Sequence, residues 1–325
     1  MADPTLRTIA PHERDAVLDL LAGWLGDRAF FARYFACDPT FRDDLCFVAE
    51  VDGQLVSTLQ VFRKRVRVDG AVLEVAALGN VYTDPARRTA GTASALLERA
   101  IAAMAAHGFD ASLLFAEKLA FYARLGWRSH RRHLAFLPSD ARHLTPPAGC
   151  APFDAVRDLD GVTAVYEAHS GAVAGTTVRD RAYWQGQFGY AGNPGERFLV
   201  ARRGGAIVAY ARATGLYALN VITEHGCVPG AGETLADLLA HQHALGAALP
   251  GTLAQLAPEA SLGAALAARG LTARAIEDPS WMWRVVDAER LAAKLRVPVA
   301  AVGREDFFAE LLPLDASRYW ISDRF

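Results

Sequence analysis

The sequence predicts an α/β protein, more strictly α+β, built from two tandem units that each hold a mixed, mostly antiparallel sheet flanked by helices. The chain has 325 residues, of which 52% are hydrophobic and 22% charged, and this is enough for two packed domains. Two Asp-Gly turns separate β-rich runs in the first half. The order of strands, helix, strand, helix and strand then recurs in the second half, which indicates internal duplication of the fold.

The first unit opens with a helical region and an antiparallel meander. Residues 12–36 are predicted to be helical because apolar side chains recur on one face, namely Val17, Leu18, Leu21 and Leu25. Three antiparallel strands follow, since Asp52-Gly53 and Asp69-Gly70 supply the positive φ angles that tight hairpins require. The third strand is predicted to end near Thr83.

The rest of the first unit alternates helix and strand up to a proline-rich boundary. A helix is predicted over 91–107, with Gly108 as its stop. A buried strand, a short helix broken at Gly126 and a last strand follow, written ASLLFAE, KLAFYARLGW and RRHLAFL. Three prolines within 138–147 mark the boundary, so the first unit is predicted to span 1–147.

The second unit, residues 148–290, repeats this order. It is predicted to contain a helix, a hairpin, a helix, a strand, a helix and a strand, written VTAVYEAHSG, RFLVARRGGAIVAYARATG, TLADLLAHQHALGAAL, TLAQLAPE, LGAALAARGL and TARAIED. Residues 291–325 are predicted to form a C-terminal tail. It ends in the aromatic sequence LDASRYWISDRF, for which docking against apolar surface is expected.

Composition argues against several classes of partner. The formal net charge of −2 gives no positive field for nucleic acid or a membrane surface. Basic residues alternate in RKRVR at 63–67, which is typical of a strand with one solvated face. Four scattered cysteines provide no clustered metal ligands. No secretion signal or membrane-spanning run is present, so a cytoplasmic protein without metal is expected.

The segment NVYTDPARRTAGTASALL at 80–97 carries the chemistry of the first unit. It places a loop at the start of a helix, where unsatisfied backbone N–H groups and the helix dipole favour an anion. Gly91 allows the backbone to approach a ligand, and Arg87 and Arg88 suit phosphate oxygens. The dinucleotide fingerprint and the P-loop are both missing before this helix, so another pyrophosphate ligand is indicated.

Two motifs in the right order resemble the GNAT superfamily of N-acetyltransferases. Arg88-x-x-Gly91-x-Ala93 resembles its acetyl-CoA loop, and FYARLGW resembles the signature that follows the fifth strand. The similarity covers about residues 5–137. The layout also resembles the enhanced-intracellular-survival (Eis) type, which has one working GNAT domain, a degenerate second one and a sterol-carrier-like C-terminal region. The part after Asp287 is too short for that third region.

The resemblance implies a site and a reaction. Acetyl-CoA would be held by the pantetheine-binding strand and the pyrophosphate loop, that is by Val81, Tyr82, Thr83, Arg87, Arg88, Thr89, Ala90, Gly91, Thr92 and Ala93. Gly79 is expected to start a bulge where the strands splay. Tyr122 would protonate the departing thiolate. For the base, the resemblance implies the terminal carboxylate of Phe325, reached by the tail, while Glu74 and Glu117 are the local alternatives.

The expected function is N-acetyl transfer from acetyl-CoA to a primary amine of a small molecule, by direct attack in a ternary complex. The acceptor pocket is expected to be walled by aromatic residues on the early helices, namely Trp24, Phe30, Phe31 and Tyr34. The second unit lacks the arginine-glycine loop before its helix and is expected to be structural. A non-catalytic acyl-CoA sensor, a longer acyl group and a homo-oligomer all remain open at this point.

Overall fold

Two mixed, mostly antiparallel sheets with helices packed against them make up the structure, which confirms the predicted fold class. The computed structural model describes residues 3–88, 91–139, 145–190, 195–256 and 260–324. Within these ranges each sheet has seven strands.

The first half of the chain supplies seven strands and four α-helices among the described residues. They are β1 (Thr5–Thr8), α1 (Arg14–Leu25), α2 (Arg28–Cys37), β2 (Cys46–Val51), β3 (Gln54–Val68), β4 (Ala71–Thr83), α3 (Thr92–Ala106), β5 (Ala111–Phe115), α4 (Leu119–Ala123), β6 (Arg128–Ser129) and β7 (Arg132–Pro138).

The second half supplies the remaining elements of the described chain. They are β8 (Cys150–Pro152), α5 (Ala155–Ser170), α6 (Arg181–Tyr190), β9 (Arg197–Arg203), β10 (Ala206–Leu216), β11 (Leu219–Cys227), α7 (Gly232–Leu245), β12 (Gly251–Ala254), α8 (Ala260–Ala268), β13 (Arg274–Asp278), β14 (Trp281–Val285), α9 (Ala288–Leu295), α10 (Val299–Val302) and α11 (Phe307–Leu311).

Local turn chemistry fixes the meander of the first sheet. Asp52 and Gly53 have φ of 51° and 77°, and the Asp69-Gly70 turn joins β3 to β4 with the same left-handed pair. These are the two predicted hairpins. The helical region predicted over 12–36 is two helices, because Gly26 ends α1 in the left-handed conformation and the Asp27 side chain accepts from the Phe30 N–H to start α2.

The two sheets exchange a strand. The first sheet has the order β1-β2-β3-β4-β5-β14-β6, and the second has the order β13-β7-β12-β11-β10-β9-β8. Strand β7 therefore lies in the second sheet, although its sequence RRHLAFL was expected to complete the first. Strand β14 returns from the second half to pair with β5 and β6.

The two crossing points contact each other, which explains how the exchange is held. The Ser129 hydroxyl donates to the Pro279 carbonyl at 2.6 Å, and the buried Arg132 guanidinium lies 2.8 Å from the Asp278 carboxylate. The chain boundaries at 147 and 290 consequently do not separate the two sheets. As a division into functional units, they stay a prediction.

The C-terminal tail is docked, as the aromatic sequence predicts. Helices α9 to α11 pack on the first sheet through apolar side chains that include Leu291, Phe307 and Leu312. Tyr319 is fully buried, and the Trp320 indole donates to the Ser170 hydroxyl at 3.3 Å. A last 3-10 turn at Ile321–Asp323 follows, so the final described residues belong to the core of the molecule.

Candidate functional site

An opening between β4 and β5 lies at the centre of the candidate site. The two strands are parallel and pair only over Val75–Ala77 with Ala111–Leu113. From Leu78 to Thr83, β4 stays paired with β3 but has no pairing with a described residue of β5. The backbone groups along this edge are therefore available to an extended ligand that adds to the sheet.

A bulge begins the opening, and it is centred on Asn80. The pairing of β3 with β4 jumps from Gln60–Gly79 to Thr58–Tyr82. Asn80 takes a φ of 53°, and its side-chain amide donates to the side-chain oxygen Oε1 of Gln60 at 3.0 Å. The bulge was predicted to begin at Gly79, which is one residue from its observed centre. The residue with the left-handed backbone conformation is Asn80 and not the glycine.

Helix α3 presents its first turn to the same end of the sheet. Gly91 is its N-cap with a φ of 77°, and no described side chain caps the N–H groups of Thr92 and Ala93. A 15-residue helix with free first-turn donors fits the pyrophosphate of a CoA ester. Thr89 and Ala90, which were predicted to belong to this cradle, lie outside the described residues.

Two arginines flank this helix start. The Arg88 side chain is exposed, donates from Nε to the Thr83 carbonyl at 3.1 Å and lies 5.8 Å from the Tyr82 ring centroid. Arg87 is half-buried. Neither guanidinium is ion-paired with a described carboxylate, and both therefore keep donors for phosphate oxygens.

Tyr122 lies on the α3 side of the opening. Val81 and Tyr122 both pack on the cluster formed by α3, Leu78 and Leu114. Burial raises the pKa of Tyr122 to about 12, so the phenol is neutral at physiological pH. Within the described part of the chain its hydroxyl has no hydrogen-bond partner, which leaves it able to donate to a ligand atom.

The four predicted pocket residues form a single aromatic group on the opposite face. Trp24 stacks on Phe31 and on Tyr82, with ring centroids 6.0 and 6.2 Å apart. Phe30 contacts both Phe31 and Tyr34 edge to face. Trp24 is 48% exposed, whereas Phe31 and Tyr34 are buried and form the base of the group. Only the rim of this wall is therefore open to an acceptor.

The candidate bases differ in position. Glu74 lies at the far end of β4, four residues and roughly 13 Å from Leu78, and is ion-paired with Arg63 at 2.9 Å. Its position does not suit a base for the opening. Glu117 is exposed, two residues after β5. Phe325 lies outside the described residues.

The described end of the tail nevertheless reaches β5. The Arg324 guanidinium lies 4.2 Å from the centroid of the Phe115 ring, and Phe115 is the last residue of β5. The Tyr319 ring is 5.7 Å from the same ring. Residue 324 is thus held beside the end of the strand that forms one side of the opening.

Sequence reasoning missed Lys64, which lies on the inner face of β3. Its side chain is buried, and Nζ donates to the Tyr183 hydroxyl at 2.9 Å. The alternation in RKRVR could have indicated its burial, because Lys64 shares a strand face with Phe62 and Val66, whereas the arginines lie on the other face.

The second sheet also has a pair of parallel strands that pair over only three residues, but there a side-chain contact spans the two strands beyond the pairing. Strands β11 and β12 are parallel and pair over Asn220–Ile222 with Thr252–Ala254. Beyond that point a ring nitrogen of His225 lies 3.0 Å from the Gln255 carbonyl oxygen, and the Trp320 ring packs on the His225 ring. This contact joins the two strands beyond their backbone pairing.

Two other features of the described chain bear on the class of site. No group of three or more His, Cys, Asp or Glu side chains is arranged to hold a metal ion there. None of the helices within the described ranges has the length and apolar character needed to cross a membrane.

Comparisons with solved structures show the same fold. A probable N-acyltransferase from Enterococcus faecalis V583, a conserved protein of unknown function, is 16% identical with a TM-score of 0.71, covering 90% of this chain and 75% of that one. Eis1 from Mycobacterium abscessus is 17% identical with a TM-score of 0.61, covering 90% and 76%. Saccharomyces cerevisiae N-myristoyltransferase with bound myristoyl-CoA is 11% identical with a TM-score of 0.62, covering 88% and 79%.

A family model matches the first part of the chain. No curated protein matches the sequence. Residues 5–129 match the model described as an acetyltransferase (GNAT) domain, and they include the opening, the start of α3 and Tyr122. Residues 5–129 are therefore similar to an acetyltransferase (GNAT) domain, and this match supports acyltransferase activity for the chain.

Proposed function

We propose that this protein is an N-acetyltransferase that moves an acetyl group from acetyl-CoA to a primary amine of a small molecule. One observation carries the proposal. The edge of β4 beyond its pairing with β5 and Tyr122, whose hydroxyl has no described partner, adjoin the same apolar cluster as helix α3, whose start is uncapped. A pyrophosphate site, a strand edge for the pantetheine arm and a proton donor are therefore proposed for this part of the first sheet.

Binding follows from the groups at this cleft. The pyrophosphate takes the first-turn N–H groups of α3 together with Arg87 and Arg88. The pantetheine amides add to the free edge of β4 near Val81 and Thr83, in the way that an extended peptide extends a sheet. A strand N–H near the bulge then polarises the thioester carbonyl and stabilises the oxyanion.

Transfer proceeds by direct attack within a ternary complex. The neutral amine attacks the thioester carbon, a C–N bond forms, and the C–S bond breaks as the tetrahedral intermediate collapses. The thiolate that leaves has an ordinary pKa of about 8.5, and Tyr122 donates to it as it departs. Because burial raises the pKa of Tyr122 to about 12, its main contribution is a hydrogen bond that strengthens as charge develops on sulfur.

The amine also has to lose a proton. The terminal carboxylate of Phe325 is the proposed acceptor, supported by the position of Arg324 beside Phe115. A terminal carboxylate has an ordinary pKa of about 3.5 and an ammonium about 10, so a chain of water shares this transfer. The exposed Glu117 is the alternative acceptor.

The tandem arrangement of the Eis type belongs to the same proposal. The likeness to Eis1 over 90% of this chain supports it, together with the His225 to Gln255 contact that joins β11 and β12 beyond their pairing. In this view the second unit is structural, and the first unit performs the reaction.

A longer acyl donor is the second candidate. The likeness to N-myristoyltransferase, whose structure contains myristoyl-CoA, favours it at the level of fold. A non-catalytic acyl-CoA sensor would keep the start of α3 and would not depend on Tyr122.

Thiol release measured with acetyl-CoA and myristoyl-CoA across a panel of amines tests these candidates. Tyr122→Phe is expected to lower kcat about 100-fold and to leave acetyl-CoA affinity nearly unchanged. Tyr217→Phe, at an exposed hairpin turn, is the matched control and should behave like the wild type. Binding of acetyl-CoA without turnover of any amine would contradict the proposed enzymatic activity. Turnover with myristoyl-CoA alone would show that the acyl donor is the longer CoA ester.

A further inference from the structure

A buried cluster of polar side chains captures the last turn of the tail. We call the tail clamp the set of Arg179, Tyr183, Gln187 and Glu224 that surrounds Asp323. The Arg179 guanidinium lies between two carboxylates, 2.8 Å from Glu224 and 2.8 Å from Asp323, and all three side chains are 0% exposed. The Asp323 carboxylate also accepts from the Tyr183 hydroxyl at 2.9 Å and from the Gln187 amide at 3.0 Å.

The charges of the clamp balance only when the tail is in place. Arg179, Arg212 and Lys64 provide three positive charges, and Glu224, Asp323 and Glu196, which lies 2.9 Å from Arg212, provide three negative ones. Burial opposes the ionisation of Glu224, but Arg179 and Arg212 outweigh it and lower its pKa to about 2. Without Asp323, one buried positive charge would be left without its counter-charge, which is strongly unfavourable in a protein interior.

The members of this cluster come from three parts of the molecule. Arg179 and the α6 residues Tyr183 and Gln187 belong to the second half of the chain, and Asp323 belongs to the tail. Lys64 on β3 of the first sheet donates to the Tyr183 hydroxyl at 2.9 Å. One connected set of hydrogen bonds therefore fixes the tail against both units.

The clamp lies one residue before the contact with the opening. Arg324 follows Asp323 directly and places its guanidinium 4.2 Å from the Phe115 ring. The Tyr319 hydroxyl donates to the Asp323 carbonyl at 3.0 Å, which closes the last turn on itself. Asp323 accepts all of these hydrogen bonds and so fixes the backbone immediately before Arg324.

We propose that Asp323 is a positioning residue, and that the tail clamp holds the tail at Arg324 beside the opening between β4 and β5. This gives the second unit a task in the reaction, although it binds no cofactor in the proposed scheme. The inference rests on the proposed function for its effect on turnover, but the holding of the tail can be measured by itself.

Release of the C-terminal residue tests the holding directly. The full-length protein is treated with a carboxypeptidase that prefers aromatic C-terminal residues, and the loss of Phe325 is followed by mass spectrometry. Asp323→Asn is expected to speed this release about tenfold, because the neutral amide leaves Arg179 without one of its counter-charges. Asp315→Asn is the control, since Asp315 lies on the same tail, is 79% exposed and, among the described residues, is paired with the exposed His133 alone.

A second, milder variant guards against loss of the fold. Tyr183→Phe keeps the ring and removes one hydrogen bond to Asp323, so it should show a smaller acceleration with an unchanged circular dichroism spectrum. Release at the wild-type rate in both folded variants would overturn the proposal.

Measurements of kcat and KM distinguish a failure of the tail clamp from a failure of the proposed catalytic role of Phe325. With both correct, Asp323→Asn lowers kcat about tenfold and leaves the KM for acetyl-CoA unchanged, since the α3 cradle is untouched. A chain lacking Phe325 is measured beside it. If that chain keeps full turnover while Asp323→Asn still releases its end faster, the clamp stands and the catalytic role of the terminal carboxylate fails.

Discussion

At the scale of single residues, Tyr122 combines an apolar setting with a free hydroxyl. A raised pKa means that the neutral form of the phenol persists to higher pH than in water, where half of a tyrosine is ionised at about pH 10. Burial raises the pKa of Tyr122 to about 12. The same burial removes competing water, so that a hydrogen bond to developing thiolate charge is stronger than it would be at the surface.

The pH dependence of kcat follows from this shift. With a saturating amine, we expect no loss of kcat from ionisation of Tyr122 below about pH 10.5, because its proton is lost only near pH 12. The pH profile of kcat for Tyr122→Phe shows any fall in kcat that the ionisation of other groups causes. A falling limb with an apparent pKa near or below 10 that disappears in Tyr122→Phe would contradict the assignment.

Arg88 is predicted to contribute to cofactor binding and not to chemistry. Its guanidinium is exposed, and apart from the Thr83 carbonyl and the Tyr82 ring it has no described partner. Arg88→Ala should weaken acetyl-CoA binding about tenfold, the loss of one charged hydrogen bond, and change kcat less than about twofold. Isothermal titration with acetyl-CoA measures this.

The control for that variant lies two turns into helix α3, which follows Arg88 in the chain. Arg99 is exposed on α3, seven residues after Thr92 and beyond its first turn, so Arg99→Ala should bind acetyl-CoA like the wild type. Equal weakening by both substitutions would mean that the general positive charge of α3 matters, and that Arg88 holds no phosphate.

At the scale of elements, the contact of α2 with α6 joins the aromatic wall to the second half of the chain. A Cβ added at Gly186 of α6 would lie 2.1 Å from the Cys37 carbonyl oxygen and 2.9 Å from Pro39. Helix α2 carries Phe31 and Tyr34. Glycine therefore permits a close approach that keeps the wall in position.

Gly186→Ala should lower the free energy of unfolding by about 1–3 kcal/mol, because the backbone of α2 has to move away from the new methyl group. Gly263→Ala in α8 is the control with the opposite sign. No described atom lies within 4 Å of its Cβ, so alanine should stabilise the helix by about 0.5–1 kcal/mol. Urea unfolding measures both, and a stabilised Gly186→Ala protein would show that α2 and α6 are not in this contact.

Elements whose conformation is set by a few adjacent residues could be predicted from the sequence. Elements that depend on contacts with distant parts of the chain could not. The Asp-Gly turns and the helix from Gly91 follow from backbone preferences of a few adjacent residues. Strand β14, with the sequence WMWRV, has no alternation of polar and apolar residues because both of its faces are buried. Its sequence therefore predicts no regular element.

At the scale of the whole molecule, the exchange of β7 and β14 determines what can fold alone. The sequence predicts two units because the order of elements repeats, but pairing partners are chosen by contacts between residues more than 100 positions apart. Nothing in the local pattern of RRHLAFL distinguishes a strand of the first sheet from one of the second. The position of the tail end is non-local in the same way, since Asp323 is fixed by Arg179 and Tyr183.

A chain cut after residue 147 tests this architecture. Fragment 1–147 lacks β14, so β5 and β6 lose their shared partner and the first core loses Trp281 and Trp283. Fragment 148–325 lacks β7, the strand that pairs with both β12 and β13. We expect neither fragment to unfold cooperatively by itself, while co-expressed fragments form a one-to-one complex, because the exchanged strands complete each sheet only in the presence of both chains. Size-exclusion chromatography and thermal melts followed by circular dichroism measure this, and a cooperative transition in isolated 1–147 would mean that the first sheet forms without the strand from the second half.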